Sequence, residues 1–249
     1  MRHEFFRKPR LLIVVDLPEP PALPLPLLEA FKDLEVVLLG HYALPEQTSP
    51  EQGREEFQKE AESELEVVAQ QLEDQEVETE RNLAFTSDLA KTIDQTIQEE
   101  NCDAVLAARP ADEIRKVLVP LHRADQQPVA IADFIGGLVG ESDTGVTLLR
   151  FPESDEQLEE DWAEDYVRHF TEVDVPEDQL HTETCSGEAV VDEVVERAGN
   201  HDLVVIGECR PSVKERIFGE IHESIMTDAP CPVIVVVRKP EENEDCETD

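Results

Sequence analysis

The stretch His201 to Arg238 reads HDLVVIGECRPSVKERIFGEIHESIMTDAPCPVIVVVR, and its interpretation decides the fold. Asp202 to Ile206 is a short run rich in Val and Ile, the composition of a strand buried on both faces. Gly207 ends that run and lets the backbone turn sharply. Pro211 and Ser212 mark a helix start, with Ser212 as N-cap of a helix beginning at Val213. Val213, Ile217, Ile221 and Ile225 recur every four residues, with Phe218 and Met226 beside them, so one face is apolar. Ala229-Pro230-Cys231-Pro232 stops the helix, and Val233 to Val237 is a second buried strand. Strand, helix, strand in this order makes a parallel unit with a right-handed crossover.

Upstream of this unit the same alternation runs through the chain twice. The second half starts with a strand at Arg115 to Leu121 and a helix at Pro128 to Val139. A strand at Val146 to Phe151 follows. A helix at Asp155 to Glu172 has Leu158, Trp162, Val167 and Phe170 as core candidates. A strand at Gln179 to Cys185 and a helix at Gly187 to Ala198 lead into the opening stretch. The first half starts with a strand at Arg10 to Asp16. Five prolines between Pro18 and Pro26 then make a stiff loop. A helix at Leu27 to Leu34, a strand at Glu35 to Gly40 and a long helix at Glu51 to Gln75 follow. Phe57, Ala61, Leu65, Val68 and Leu72 form the stripe of that long helix. A weaker strand spans Val77 to Phe85, Ser87 caps a helix at Asp88 to Glu100, and Asp103 to Ala108 is a fourth strand.

The halves mirror each other. EVVLL from Glu35 parallels GVTLL from Gly145, and NCDAVL from Asn101 parallels NHDLVV from Asn200. The expected fold is therefore α/β, with two tandem doubly wound parallel-sheet (Rossmann-like) domains. The first ends early: only Arg109 to Ile114 separate its fourth strand from the next strand, so its last helix and strand have no counterpart. The expected divisions are 1–112 for the incomplete domain, 113–240 for the complete one, and 241–249 for an acidic disordered tail.

The opening stretch resembles the C-terminal part of the universal stress protein (UspA-like) family. The strand DLVVIG, the helix IFGEIHESI and above all the junction APCPVIVVV carry the resemblance. It implies an adenine nucleotide alpha hydrolase-like fold. In family members that bind ATP, a loop of pattern Gly, two residues, Gly, nine residues, Gly, then Ser or Thr holds the phosphates. Gly207 matches the first Gly, but Cys209 and Arg210 stand where the second would be. Gly219 falls twelve rather than thirteen residues after Gly207, and Glu220 replaces the hydroxyl residue. Lost glycines keep backbone N–H groups away from a phosphate, and a carboxylate repels it. Arg210 and Lys214 are the local cations that offset this, with Ser212 between them. ATP-binding members also use an Asp at the end of the first strand, near the adenosine. Asp16 matches it in the first half. In the second half the place falls to His122 within VPLHR, beside Pro120. Matching Asp and matching loop thus sit in different halves. Family members commonly dimerise through their last strand, which implies a homo-oligomer, or a pseudo-dimer of the two halves, through Cys231 to Val237.

Charge narrows the function classes further. The formal net charge is −38, from 59 acidic and 21 basic residues, and only seven of the basic residues are Lys. A soluble domain usually carries a charge of magnitude roughly 2–8. The acids are dispersed along the chain, as in proteins of halophilic archaea that keep molar potassium inside. There the Debye length shrinks to about 3 Å and self-repulsion is screened. Such a surface excludes nucleic acid as a partner, because phosphate neutralisation needs a basic face. No calcium loop of the D-x-[DN]-x-[DN]-G type occurs. The five Cys and seven His show no zinc spacing, so no metal site and no catalytic residue are expected. No apolar run approaches membrane-spanning length, and MRHEFFRKPRLLIVVD reads as a strand entry rather than a signal peptide. The expected location is the cytoplasm. Three functions then follow from the resemblance. The first is a non-catalytic regulator acting through dimerisation or an unknown protein partner, with a degenerate ATP site and no cofactor. The others are a sensor that holds ATP or AMP, and an adenine nucleotide hydrolase.

Overall fold

Runs that are apolar at every position must be buried on both faces, and here they form the middle of one sheet. A computed structural model describes residues 8–20, 23, 25–45, 47–109, 111, 113–121, 128–139, 142–151, 162–185, 189–207 and 220–237. The strands are β1 (Arg10–Leu17), β2 (Glu35–Ala43), β3 (Glu78–Thr86), β4 (Ala104–Ala107), β5 (Lys116–Leu121), β6 (Gly145–Arg150), β7 (Leu180–Thr184), β8 (Leu203–Gly207) and β9 (Val233–Val236). The helices are α1 (Leu25–Ala30), α2 (Pro50–Glu73), α3 (Leu89–Glu99), α4 (Pro128–Val139), α5 (Trp162–Glu172), α6 (Val190–Ala198) and α7 (Glu220–Asp228). All nine strands share one sheet in the order β3-β2-β1-β4-β9-β8-β5-β6-β7.

The two sides of this sheet repeat one topology. β3-β2-β1-β4 and β7-β6-β5-β8 are each parallel and run in corresponding order. β9 continues the second set parallel to β8. Its other edge pairs antiparallel with β4, from Ala104 opposite Val236 to Ala107 opposite Val233. The last strand therefore fills the fifth-strand place of both sets. Of the two expected uses of Cys231 to Val237, homo-oligomer or pseudo-dimer, the sheet makes the second. Both edges of β9 are occupied within one chain, and a second copy has no edge of it to pair with.

Local hydrogen bonds repeat as well. Asp103 Oδ2 accepts from the Arg10 backbone N at 2.8 Å, and Asp202 Oδ2 accepts from the Lys116 backbone N at 2.9 Å. Each carboxylate thus fixes the start of its half's first strand. The turns after α2 and α5 also match. Glu76 and Asp174 both take left-handed backbone, with φ of 63° and 64°. Val77 N donates to Leu72 O, and Val175 N to Phe170 O, each at 3.1 Å. These are helix endings of one kind, made without glycine.

Alternate residues of the central strands face opposite ways. Leu11, Ile13, Leu106, Val205 and Ile234 join one large cluster with Leu65 and Leu72 of α2, Phe134 of α4 and Phe170 of α5. Leu12, Val37 and Val105 pack with Ile97 of α3, and Val204 and Val235 with Val194 of α6 and Ile225 of α7. The helices accordingly lie on both faces of a doubly wound sheet, as the alternation of elements implies. The large cluster crosses between the halves, joining Leu27, Leu28 and Phe31 to Ile131 and Ile135 of α4.

Close backbone approach explains Gly136 on α4. A Cβ at Gly136 would lie 2.9 Å from the Val173 carbonyl O and 3.0 Å from its Cβ. Gly136→Ala should therefore push α4 off the end of α5 and cost about 1–3 kcal/mol, as overpacking does. A urea titration reads this as a lower midpoint at unchanged slope.

Several expected boundaries move. Asp88, rather than Ser87, caps α3, accepting from Lys91 N at 3.1 Å. Thr86 Oγ1 accepts from Asp88 N at 3.0 Å, which sets the capping residue one place later than expected. The weak third strand is nine residues long and pairs with β2 over its whole length. Its polar composition suits a strand at the sheet edge. The first helix starts earlier than expected, at Leu25, and is followed by turns that still bury Phe31 and Leu34. Leu158, the Ser212 cap with its helix start at Val213, and the tail 241–249 lie outside the described residues. Among the described residues, no helix is long and apolar enough to cross a membrane.

Candidate functional site

Doubly wound sheets bind ligands at the C-terminal ends of their strands, where the strand order reverses. In the second half that point lies between β5 and β8, which pair through Val117 with Leu203 and Leu118 with Val204. Pro120 stands near the end of β5, buried, opposite Leu149 of β6. Gly207 is the last residue of β8, buried and opposite Val236 of β9. The sheet thus brings Pro120 and Gly207 to the same end of adjacent strands. Glu220 is the first residue of α7. His122, Arg210, Ser212, Lys214 and Gly219 lie outside the described residues.

In the first half the corresponding point lies between β1 and β4. Asp16 reaches it near the end of β1, with its side chain 80% exposed. Asp16 is in register with His41 on β2, and His41 Nδ1 lies 2.9 Å from Asp16 Oδ1. His41 is buried, and its Nε2 lies 3.3 Å from the Thr86 carbonyl O of β3. One imidazole therefore bridges β1 and β3 across β2. In the sequence His41 is one of seven histidines, none with metal-ligand spacing. Its role depends on strand register, which no local motif carries.

Carboxylates crowd this end of the first half. Burial pushes the Tyr42 phenol pKa up, and Glu60, Glu56 and Glu64 on α2 push it further by repulsion. These three glutamates recur every four residues and so share one helix face. Glu64 also accepts a hydrogen bond from the Glu19 backbone N at 3.1 Å. Beneath them Tyr42 stacks on Phe57 at 4.8 Å between ring centres and tilts against Phe85 at 5.6 Å. The carboxylates make this end of the first half electronegative. Past β4 the chain passes to β5 at Lys116, and no described helix intervenes. Arg109, just beyond β4, instead donates to the carbonyls of Met226 and Thr227 in α7.

The three described cysteines, Cys102, Cys185 and Cys231, are buried free thiols. Cys185 follows β7, buried, with its thiol donating to Glu193 Oε2 at 2.8 Å and Arg197 3.7 Å away. Arg197 is held by Glu183 at 2.6 Å, and its pKa is raised, first by the Cys185 hydrogen bond. Burial pushes the Cys231 thiol up to about 11, which keeps it protonated and unreactive at neutral pH. Among the described residues no group of His, Cys, Asp and Glu side chains is placed to hold a metal ion.

Comparison with known proteins agrees with this architecture. The universal stress protein family model matches residues 113–237, just over half of the chain. A universal stress protein structure from Archaeoglobus fulgidus is 18% identical with a TM-score of 0.61, and the match covers 94% of this chain and 100% of that one. A Pseudomonas aeruginosa structure described as functionally unknown is 16% identical with a TM-score of 0.51, covering 90% of this chain and 92% of that one. At these identities the likeness is one of fold, and it extends over both halves. No curated protein matches the sequence. Matched over its second half by the family model and over nearly its whole length by the fold, the chain belongs to the universal stress protein family.

Proposed function

We propose that this universal stress protein is a non-enzymatic cytosolic regulator that acts through a protein partner, with the family's ATP site degenerate in both halves and no cofactor. The observation that carries this reading is the antiparallel pairing of β9 with β4. In the place where a complete half carries its own fifth strand, the first half holds a strand of its neighbour. No stretch remains there for a phosphate loop and its helix: β4 ends at Ala107 and β5 begins at Lys116. The carboxylates of Glu56, Glu60 and Glu64 near Tyr42 add repulsion toward a triphosphate. In the second half the broken glycine pattern from Gly207 to Gly219, with Glu220 at the hydroxyl position, removes the close backbone approach that phosphate binding needs. Because β9 offers no free edge, a partner meets another surface of the chain.

A second reading is favoured by Pro120 and Gly207, which stand at the same end of the adjacent strands β5 and β8, where the strand order reverses. In that reading the second half still senses ATP or AMP, with Arg210 and Lys214 offsetting Glu220. Titration calorimetry with ATP and Mg²⁺ in ~3 M KCl, where the surface charge is screened, separates the two. The expected result is no saturable heat. Saturable binding without turnover would replace the regulator with the sensor. Turnover of the nucleotide would make the protein a hydrolase.

A further inference from the structure

Helix α7 ends on the wrong charge. No basic residue lies in its last turn, and Asp228 closes it. The final carbonyls of a helix have no intrahelical partner and carry negative partial charge, which a cation relieves and a carboxylate aggravates. The Ala229 N–H takes the Ile225 carbonyl at 2.9 Å. The next two carbonyls are taken from the other half of the molecule. One terminal nitrogen of Arg109 donates to Met226 O at 3.1 Å and to Thr227 O at 3.2 Å, across 117 and 118 positions of sequence. Ile225 and Met226 of α7 and the following Ala229 join an apolar cluster with Val194 and Val233 of the second half, and Ala107 at the end of β4 also packs against that cluster.

We infer that Arg109 is a positioning residue through which the first half caps α7 and sets its order. Arg109 occupies the place just beyond β4, and Gly207 ends the corresponding strand β8. The residue that would enter the first half's own loop thus serves the helix that follows the second half's loop. The guanidinium brings donors to the carbonyls of Met226 and Thr227, and positive charge to a helix end whose own last turn has no basic residue. This inference stands on hydrogen bonds and helix charge, and it holds whether or not nucleotide binds.

Hydrogen exchange on the full chain in high KCl tests it. Arg109→Ala should speed exchange of the amides from Ile225 to Ala229 about threefold to tenfold, the size of a hydrogen bond lost at an exposed site. β1, β2 and β6 should keep wild-type rates. Arg109→Lys, which keeps the charge but loses the planar fork, should recover part of the protection. Asp228→Asn in the Arg109→Ala background should also recover part, because it removes the adverse charge. Unchanged α7 exchange in Arg109→Ala would overturn the inference. So would an equal acceleration throughout the sheet, or the failure of both rescues.

Discussion

Between 0.1 M and 3 M KCl the chain is expected to gain about 10–20 °C in Tm, a relief of roughly 5 kcal/mol for a domain of this size. The cause is a formal net charge of −38 spread along the whole sequence. At 0.1 M the Debye length is about 10 Å, so carboxylates on neighbouring turns and strands repel each other. Glu56, Glu60 and Glu64 show the geometry on one helix face. Ion pairs offset little of this. Arg10 serves three glutamates at once, Glu35 at 3.1 Å and also Glu80 and Glu100, because so few cations exist to share. By 1 M the Debye length is about 3 Å and the repulsion is largely gone, so most of the gain should fall below that concentration. Thermal melts followed by circular dichroism across a KCl series measure it. A Tm that stays flat or falls with salt would show that self-repulsion does not limit this fold.

Val235→Asp should abolish the folded state of both halves together. Val235 is fully buried on β9, opposite Val105 of β4 on one side and Ile206 of β8 on the other. A carboxylate there has no partner, and an unpaired buried charge costs about 3–5 kcal/mol or more, against a total stability of roughly 5–15 kcal/mol. Val235→Ala is the milder control, expected to cost about 2 kcal/mol through the cavity it leaves. Because β9 belongs to both sets of strands, hydrogen exchange should show β1 and β6 losing protection in step. If β1 stayed protected while β6 opened, the two halves would be independent units and the shared strand incidental.

Much of this architecture is legible in the residues. Valine-rich runs such as Leu203–Gly207 and Val233–Val236 mark the centre of the sheet, because only double burial suits them. The repeated pair Asp103 and Asp202 marks equivalent strand starts, and both carboxylates hold the same backbone bond. The short passage from Asp103 to Arg115 shows that the first half lacks a final strand, and β9 supplies it. Other features are invisible in one dimension. His41 joins Asp16 only through the register of β1 on β2. Glu56, Glu60 and Glu64 look like any of 59 acidic residues until α2 is laid over the strand ends. Arg109 reads as a loop cation, because its acceptors are backbone carbonyls more than a hundred residues away. Ser87 and Asp88 are equally good caps by composition, and a side chain one residue earlier, Thr86, decides between them.

The claim on which the rest stands is that β9 completes the sheet of the first half within its own chain. A mixed sample, half of the chains carrying ¹³C-labelled valine methyls and half unlabelled, allows a direct test by isotope-filtered NOE spectroscopy. Val105 and Val235 lie opposite each other across the β4–β9 pair, so their side chains should show a strong cross-peak. The account predicts that this cross-peak appears only between labelled groups of the same molecule. A cross-peak between labelled and unlabelled chains would place a second copy at β4, and the single-chain sheet would be wrong.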